Sequence, residues 1–148
     1  MLDIRKATVR DAACVAELAL RLWPEHTLDD LTEEFALTLR EEDAAIFLAF
    51  RGDTAIGFAQ CQLRHDYVEG TRSSPVGYLE GIYVAQTMRR QGIARSLLRA
   101  CESWANGMGC LEFASDCELD NADSLHFHLS TGFLEAGRII CFTKQLEE

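Results

Sequence analysis

Tyr78-Leu79-Glu80-Gly81-Ile82-Tyr83-Val84 is an apolar run interrupted by one carboxylate, and Arg89-Arg90-Gln91-Gly92-Ile93-Ala94 lies just beyond it. The run reads as a strand, the arginine segment as a turn, and the residues from Gly92 onward as an amphipathic helix. A helix N-terminus presents backbone N–H groups without intrahelical partners, together with a partial positive charge. Glycine there lets a ligand approach the backbone, so the turn suits a pyrophosphate. Arg89, Arg90, Arg95 and Arg99 crowd the same stretch. One anionic ligand at one place is the chemistry they offer; a solvated helix face is the plainer alternative. Glu80 offers the opposite charge. A glutamate amid Tyr78, Leu79, Ile82 and Tyr83 is poorly explained by packing. It can hold a cation and accept its proton, or it can serve a structural ion pair.

The elements that must position these groups are read from pattern. Residues 2–7 alternate like a strand. Thr8-x-x-Asp11 resembles a capping box and opens a helix bearing Val15, Leu18 and Leu22, which ends at Trp23-Pro24. Thr27-x-x-Asp30 caps a second helix with Leu28, Leu31, Phe35 and Leu39. Residues 44–50 and 54–63 form a hairpin around Arg51-Gly52-Asp53, and 64–75 form a polar loop. The strand over 76–84 feeds the arginine turn, and a helix runs from about Gly92 to Asn106. A short strand at 111–115, a helix at 121–130 and two closing strands from Gly132-Phe133 to near Lys144 complete the order β-α-α-β-β-β-α-β-α-β-β. That order predicts an α/β mixed sheet with helices on both faces.

The chain has 148 residues, most simply one domain over 1–148, with 48% hydrophobic and 26% charged residues. Its 14 Lys+Arg against 24 Asp+Glu give a net charge of −10. Such a surface repels nucleic acid and anionic membranes and favours cationic partners. There is no signal-like apolar region and no span-length apolar run, so a cytoplasmic protein is expected. Cys14, Cys61, Cys101, Cys110, Cys117 and Cys141 lack C-x-x-C or metal-site spacing, and most of them read as small core thiols. Asp116, Glu118, Asp120 and Asp123 mimic a calcium loop, but Asn121 and Phe127 stand where its glycine and final glutamate belong. No metal is expected.

Arg89-x-x-Gly92-x-Ala94, set between a strand and a helix, resembles the acetyl-coenzyme-A signature of the GNAT superfamily of N-acetyltransferases. The predicted order is that superfamily's order. Leu22-Trp23-Pro24-Glu25-His26, Arg64 through Gly70 with Ser73-Ser74-Pro75-Val76, Leu79-Glu80-Gly81-Ile82, and Ala114-Ser115-Asp116 look like bacterial aminoglycoside 6′-N-acetyltransferases. The resemblance implies a GNAT-like acyl-CoA N-acyltransferase fold. It further implies transfer of acetyl from acetyl-CoA to an aminoglycoside 6′-amino group, antibiotic resistance, and a homodimer. The backbone of Ile82, Tyr83 and Val84 would run beside the pantetheine arm, one N–H holding the developing oxyanion. Arg89 completes the signature; Arg90, Gln91, Gly92, Ile93, Ala94 and Arg95 would cradle the pyrophosphate, with Asn121 further along. Trp23, His26, Tyr67, Glu80 and Asp116 match positions lining the substrate site. Two departures stand out. Gly137 replaces a glutamate that close relatives often use for substrate, and His128 stands where many members carry a thiolate-protonating tyrosine.

The residues carry their own alternatives. Asp116 ends a strand where α/β sheets place ligands, or it caps a helix. Trp23 stacks on a sugar ring or fills the core. His65 and His126 fit local hydrogen bonding, while His128 is either the acid or a bystander. No Ser-His-Asp or Cys-His order fits the elements, so direct transfer in a ternary complex is expected. Another amine (a polyamine, an amino acid or a protein N-terminus) remains open as substrate, as does a non-catalytic binder of acetyl-CoA or cationic drugs.

Overall fold

The structure is a computed structural model that describes residues 1–147. Its strands are β1 (Leu2–Lys6), β2 (Ala44–Arg51), β3 (Thr54–Arg64), β4 (Val76–Val84) and β5 (Phe113–Ala114). Its helices are α1 (Ala12–Leu22), α2 (Leu28–Thr38), α3 (Ile93–Gly107) and α4 (Ala122–Ser130), with single 3-10 turns at Val9–Asp11 and Gln86–Met88. The chain divides into two compact units, Met1–Asp116 and the part beginning at Cys117.

In the first unit the strands lie in the order β1-β2-β3-β4-β5. β1 to β4 pair antiparallel, and β5 pairs parallel to β4 only at Gly77 and Tyr78. Local chemistry sets the boundaries. The Asp11 carboxylate accepts from the Thr8 N–H at 2.8 Å and takes both guanidinium nitrogens of Arg5 at 3.1 Å, tying β1 to the start of α1. Trp23, kept out of helical geometry (φ −125, ψ 71) before the proline, stops α1. The Thr27 hydroxyl accepts from the Asp30 N–H at 3.1 Å and opens α2.

Successive strand residues point to opposite faces, and β3 shows both layers. Phe58 meets Trp23 and Phe35 edge-on, each with ring centroids 6.3 Å apart, on the α1/α2 side. The adjacent Gly57 faces α3, where a Cβ would meet Leu97 Cδ1 at 3.4 Å. Val15, Ala16, Ala19, Leu31, Phe35, Ile46 and Leu48 complete the core around Phe58. Burying one such large side chain contributes about 1.5–3 kcal/mol. Cys61 in β3 and Cys101 in α3 are buried, with Cys61 Sγ donating to the Ala45 carbonyl at 3.6 Å; the neighbouring Cys61 thiol, then burial, pushes the Cys101 thiol up. Cys110 is buried as well, Cys14 is half-buried, and Cys117 and Cys141 are exposed.

The second unit holds α4, capped by Asn121, whose side-chain oxygen accepts from the Ser124 N–H at 3.1 Å. The two expected closing strands are absent: among the described residues, 133–147 form no ladder. Leu134, Ile139, Ile140, Phe142 and Leu146 stand between 72% and 91% exposed. The cause is that β-preference expresses fit to a pleated neighbour. This segment has strand-type residues and no paired strand among the described residues.

Candidate active site

Glu80 reaches the site through a defect in the ladder. Gln60 pairs with Gly81 and Cys61 with Leu79, so Glu80 is an extra, unpaired residue in β4. A bulge of this kind re-aims a side chain. The next residue must be glycine: a Cβ at Gly81 would lie 2.7 Å from Trp23 Cη2 and 2.9 Å from Cζ2. The missing side chain lets the indole lie against the strand beside the carboxylate. Trp23 thus packs edge-on against Phe58 and also lines the cleft.

The result is an open cleft of about 410 Å³ lined by Trp23, Glu25, His26, Glu34, Gln60 and Glu80, floored by Leu31 and Phe35. Three carboxylates line it, and the other ionisable group on its wall is His26, whose Nε2 lies 3.6 Å from Glu25 Oε1. Glu80 is half-buried and takes a bidentate fork from Arg64. The cleft suits a small, multiply cationic molecule with apolar ring faces.

At the other end of β4 the chain turns through Ala85 and the 3-10 turn to Gly92. Arg90 and Gly92 are left-handed, with φ 66 and 79, and they turn the chain sharply into α3. Gly92 is the N-cap of α3, with no side-chain cap and no acid in the first turn. A Cβ there would find nothing within 4 Å. The N–H groups of Ile93, Ala94 and Arg95 thus open a strongly amphipathic helix without a capping side chain, which fits a pyrophosphate. Arg89 turns back, its Nε donating to the Val84 carbonyl at 3.0 Å, and braces the strand end. Gln91 accepts from Arg51 Nη2 at 3.0 Å, which adds a cation from β2 to the turn.

Between these two places β4 has an open edge. Pairing with β5 ends at Tyr78, so Leu79 through Val84, including Ile82 and Tyr83, have no ladder partner on that side among the described strands. Backbone donors along this edge are available to an acyl group and its carrier arm.

The remaining expected residues are spread more widely. Tyr67 is 79% exposed in the 65–75 loop, its hydroxyl donating to Glu69 at 3.0 Å, and it is not among the cleft-lining residues. The far end of that loop is pinned by Glu112, which accepts from the Arg72 N–H and the Ser73 hydroxyl. Asp116 accepts from the Tyr78 hydroxyl; burial, then this bond, pushes the Tyr78 phenol far up. In the second unit, Asn121 caps α4 and Gly137 is exposed. His128 Nδ1 donates to the Ser124 carbonyl at 2.6 Å, with its ring between Phe127 and Phe133. Among the described residues no group of three or more His, Cys, Asp or Glu gathers for a metal.

Sequence reading missed Glu25, Glu34, Gln60 and Arg51. Leu31, Glu34 and Phe35 sit at i, i+3 and i+4 on α2, and that spacing places Glu34 beside the buried stripe. Gln60 and Arg51 carried no signal, because their roles depend on strand pairing.

Comparison with known proteins agrees with this geometry. The profile of the acetyltransferase (GNAT) family matches residues 12–133. An aminoglycoside N(6′)-acetyltransferase type 1 of Stenotrophomonas maltophilia is 44% identical over 145 residues, 97% of this chain and 94% of that protein. A protein of the same name from Acinetobacter haemolyticus is 39% identical over 99% of this chain and 100% of its own length. The solved structure of AAC(6′)-Iy in complex with the bisubstrate analogue CoA-S-monomethyl-acetylneamine superposes with a TM-score of 0.94, at 37% identity, covering 99% of both chains. With the family profile spanning most of its length and an open-edged β4 leading to an uncapped helix, the chain belongs to the GNAT family of acetyltransferases.

Proposed function

We infer that this enzyme transfers the acetyl group of acetyl-CoA to the 6′-amino group of aminoglycoside antibiotics and so confers resistance to them. One observation carries the reading. A single strand, β4, presents a carboxylate to an acidic cleft at its bulge and leads to an uncapped, arginine-flanked helix start at its end. A polycationic substrate and a pyrophosphate-bearing donor are thereby brought to one open edge.

The chemistry starts from the amine. An aliphatic ammonium has a pKa near ~10.4, and only the neutral amine attacks a thioester. Deprotonation near pH 7 costs about 4 kcal/mol, from roughly 3 pK units at 1.36 each. Glu80 binds the ammonium in the cleft and passes its proton to water. The amine nitrogen then attacks the thioester carbonyl carbon. A backbone N–H among Ile82, Tyr83 and Val84 holds the oxyanion; the nitrogen gives up its second proton to water, and collapse expels the CoA thiolate. His128 is the candidate acid for that thiolate; with Nδ1 donating to Ser124, its Nε2 must carry the proton it gives. Arg90, Gln91, Gly92, Ile93, Ala94 and Arg95 hold the pyrophosphate, and Asn121 lies further along the donor. Asp116 acts on substrate through its bond to Tyr78, Tyr67 from the polar loop, and Gly137 marks a contact this enzyme lacks.

The same reading makes 1–148 one functional domain in a cytoplasmic homodimer. In support, the family match crosses from the first compact unit into the second. No helix among the described residues is long and apolar enough to cross a membrane. The exposed Leu134, Ile139, Ile140, Phe142 and Leu146 form an apolar series that a second copy would cover.

Thiol release from acetyl-CoA tests the activity, with kanamycin, a 6′-hydroxyl aminoglycoside analogue, spermidine and peptide amines as acceptors. Turnover confined to 6′-amino drugs is expected. Turnover on spermidine or peptides alone overturns the substrate, and binding without thiol release overturns the enzyme.

A further inference from the structure

Glu80 already holds a cation in the structure. Arg64, the last residue of β3, places Nη2 3.0 Å from each Glu80 oxygen and Nε 3.2 Å from Oε2. Its Cζ sits 3.5 Å over the Tyr78 ring, whose hydroxyl is fixed by Asp116. Glu80 and Asp116 thus belong to one assembly: carboxylate, guanidinium, aromatic face, hydroxyl, carboxylate. Its members all come from β3, β4 and the residues after β5, within the first compact unit.

A guanidinium fork satisfies both oxygens of a carboxylate, and arginine also stacks stably on an aromatic face. An arriving substrate ammonium must therefore compete with Arg64 for Glu80. The pair is only partly solvent-shielded, at 37% exposure for Arg64 and 21% for Glu80, so exchange is feasible. The Tyr78 face offers the guanidinium a place to remain once it lets go.

We propose that Arg64 is an exchangeable counter-ion for Glu80: it occupies the carboxylate in the free enzyme, yields it to the substrate ammonium, and stays close enough to weaken the carboxylate's hold on that ammonium. This deepens the aminoglycoside reading and rests on it for the identity of the substrate. The consequence is a trade. A lone carboxylate stabilises the charged ammonium, which opposes formation of the neutral nucleophile. A neighbouring cation reduces that ground-state binding and leaves more of the binding energy for the transition state. Arg64 is a positioning residue; it need not touch the reacting atoms.

The test is equilibrium binding of kanamycin by calorimetry together with steady-state kinetics, on wild type, Arg64→Met, Arg64→Lys and the double variant Arg64→Met/Glu80→Gln. Arg64→Met is expected to bind kanamycin about 3- to 10-fold more tightly, to lower KM by a similar factor, and to lower kcat at least as much. Arg64→Lys keeps the charge and returns both parameters toward wild type. The tighter binding disappears in the double variant, because it depends on Glu80. A weaker or unchanged affinity in a folded Arg64→Met protein, verified by its thermal transition, overturns the proposal and makes the pair a scaffold. Absence of binding to wild type and Arg64→Met alike also overturns it, since an unmasked Glu80 must attract the cation. Failure of the enzymatic reading is distinguished separately: wild type then releases no thiol, whatever the calorimeter reports.

Discussion

A glutamate in a run of Tyr, Leu, Ile and Tyr is conspicuous in sequence, and Glu80 sits in the cleft the fold provides. Its neighbour Gly81 entered the sequence reading only as part of the Leu79-Glu80-Gly81-Ile82 segment. The 2.7 Å approach of Trp23 to a Cβ at that position gives its reason. Glu80→Gln is expected to lower kcat by about 10²-fold or more, the usual contribution of a positioned base, with acetyl-CoA affinity little changed. Turnover equal to wild type across the pH range removes Glu80 as proton acceptor. Gly81→Ala must push the indole aside, since its Cβ would overlap two ring carbons. It should cost about 1–3 kcal/mol of stability and raise the aminoglycoside KM; an unchanged melting transition and KM contradict the close packing.

Elements whose ends are set by local chemistry were readable. The Thr27 cap, the stop at Trp23-Pro24, the 76–84 strand and the arginine turn all lie where side-chain pattern places them. The bulge at Glu80 and the early end of β4–β5 pairing were not. They are properties of two strands in register, and neither strand encodes them alone. Gly92→Ala places a Cβ on a left-handed residue at the α3 N-cap, a strain of roughly 1–2 kcal/mol. The expected result is a lower melting temperature and a raised KM for acetyl-CoA, with the KM for kanamycin unaffected. The Arg5–Asp11 link supplies a pH test at the same scale. The Arg5 hydrogen bond holds the Asp11 carboxyl below its usual range. Its stabilisation is therefore present above about 3.9, the ordinary aspartate value, and is lost as pH falls through the lower folded value. Asp11→Asn should be less stable than wild type at neutral pH, and the gap should close in acid; a gap that widens in acid contradicts the assignment.

At the scale of the molecule, composition was informative about partners. A net charge of −10 repels phosphates generally, while the cationic turn before α3 is where we propose that one pyrophosphate is held. The end of the chain was where reading by pattern went astray. Residues 133–147 have strand-type side chains, but no ladder partner for them lies among the described residues. If a second copy covers Leu134, Ile139, Ile140, Phe142 and Leu146, light scattering will give twice the monomer mass, and charged replacements at Ile140 and Phe142 will shift it toward the monomer. A monomer at all concentrations removes the homodimer. The reaction product tests the central claim most directly. Kanamycin incubated with the enzyme and acetyl-CoA labelled in its acetyl carbonyl should yield, by NMR, one product with the label bonded to the 6′ nitrogen. Label on any other nitrogen, or none incorporated, contradicts it.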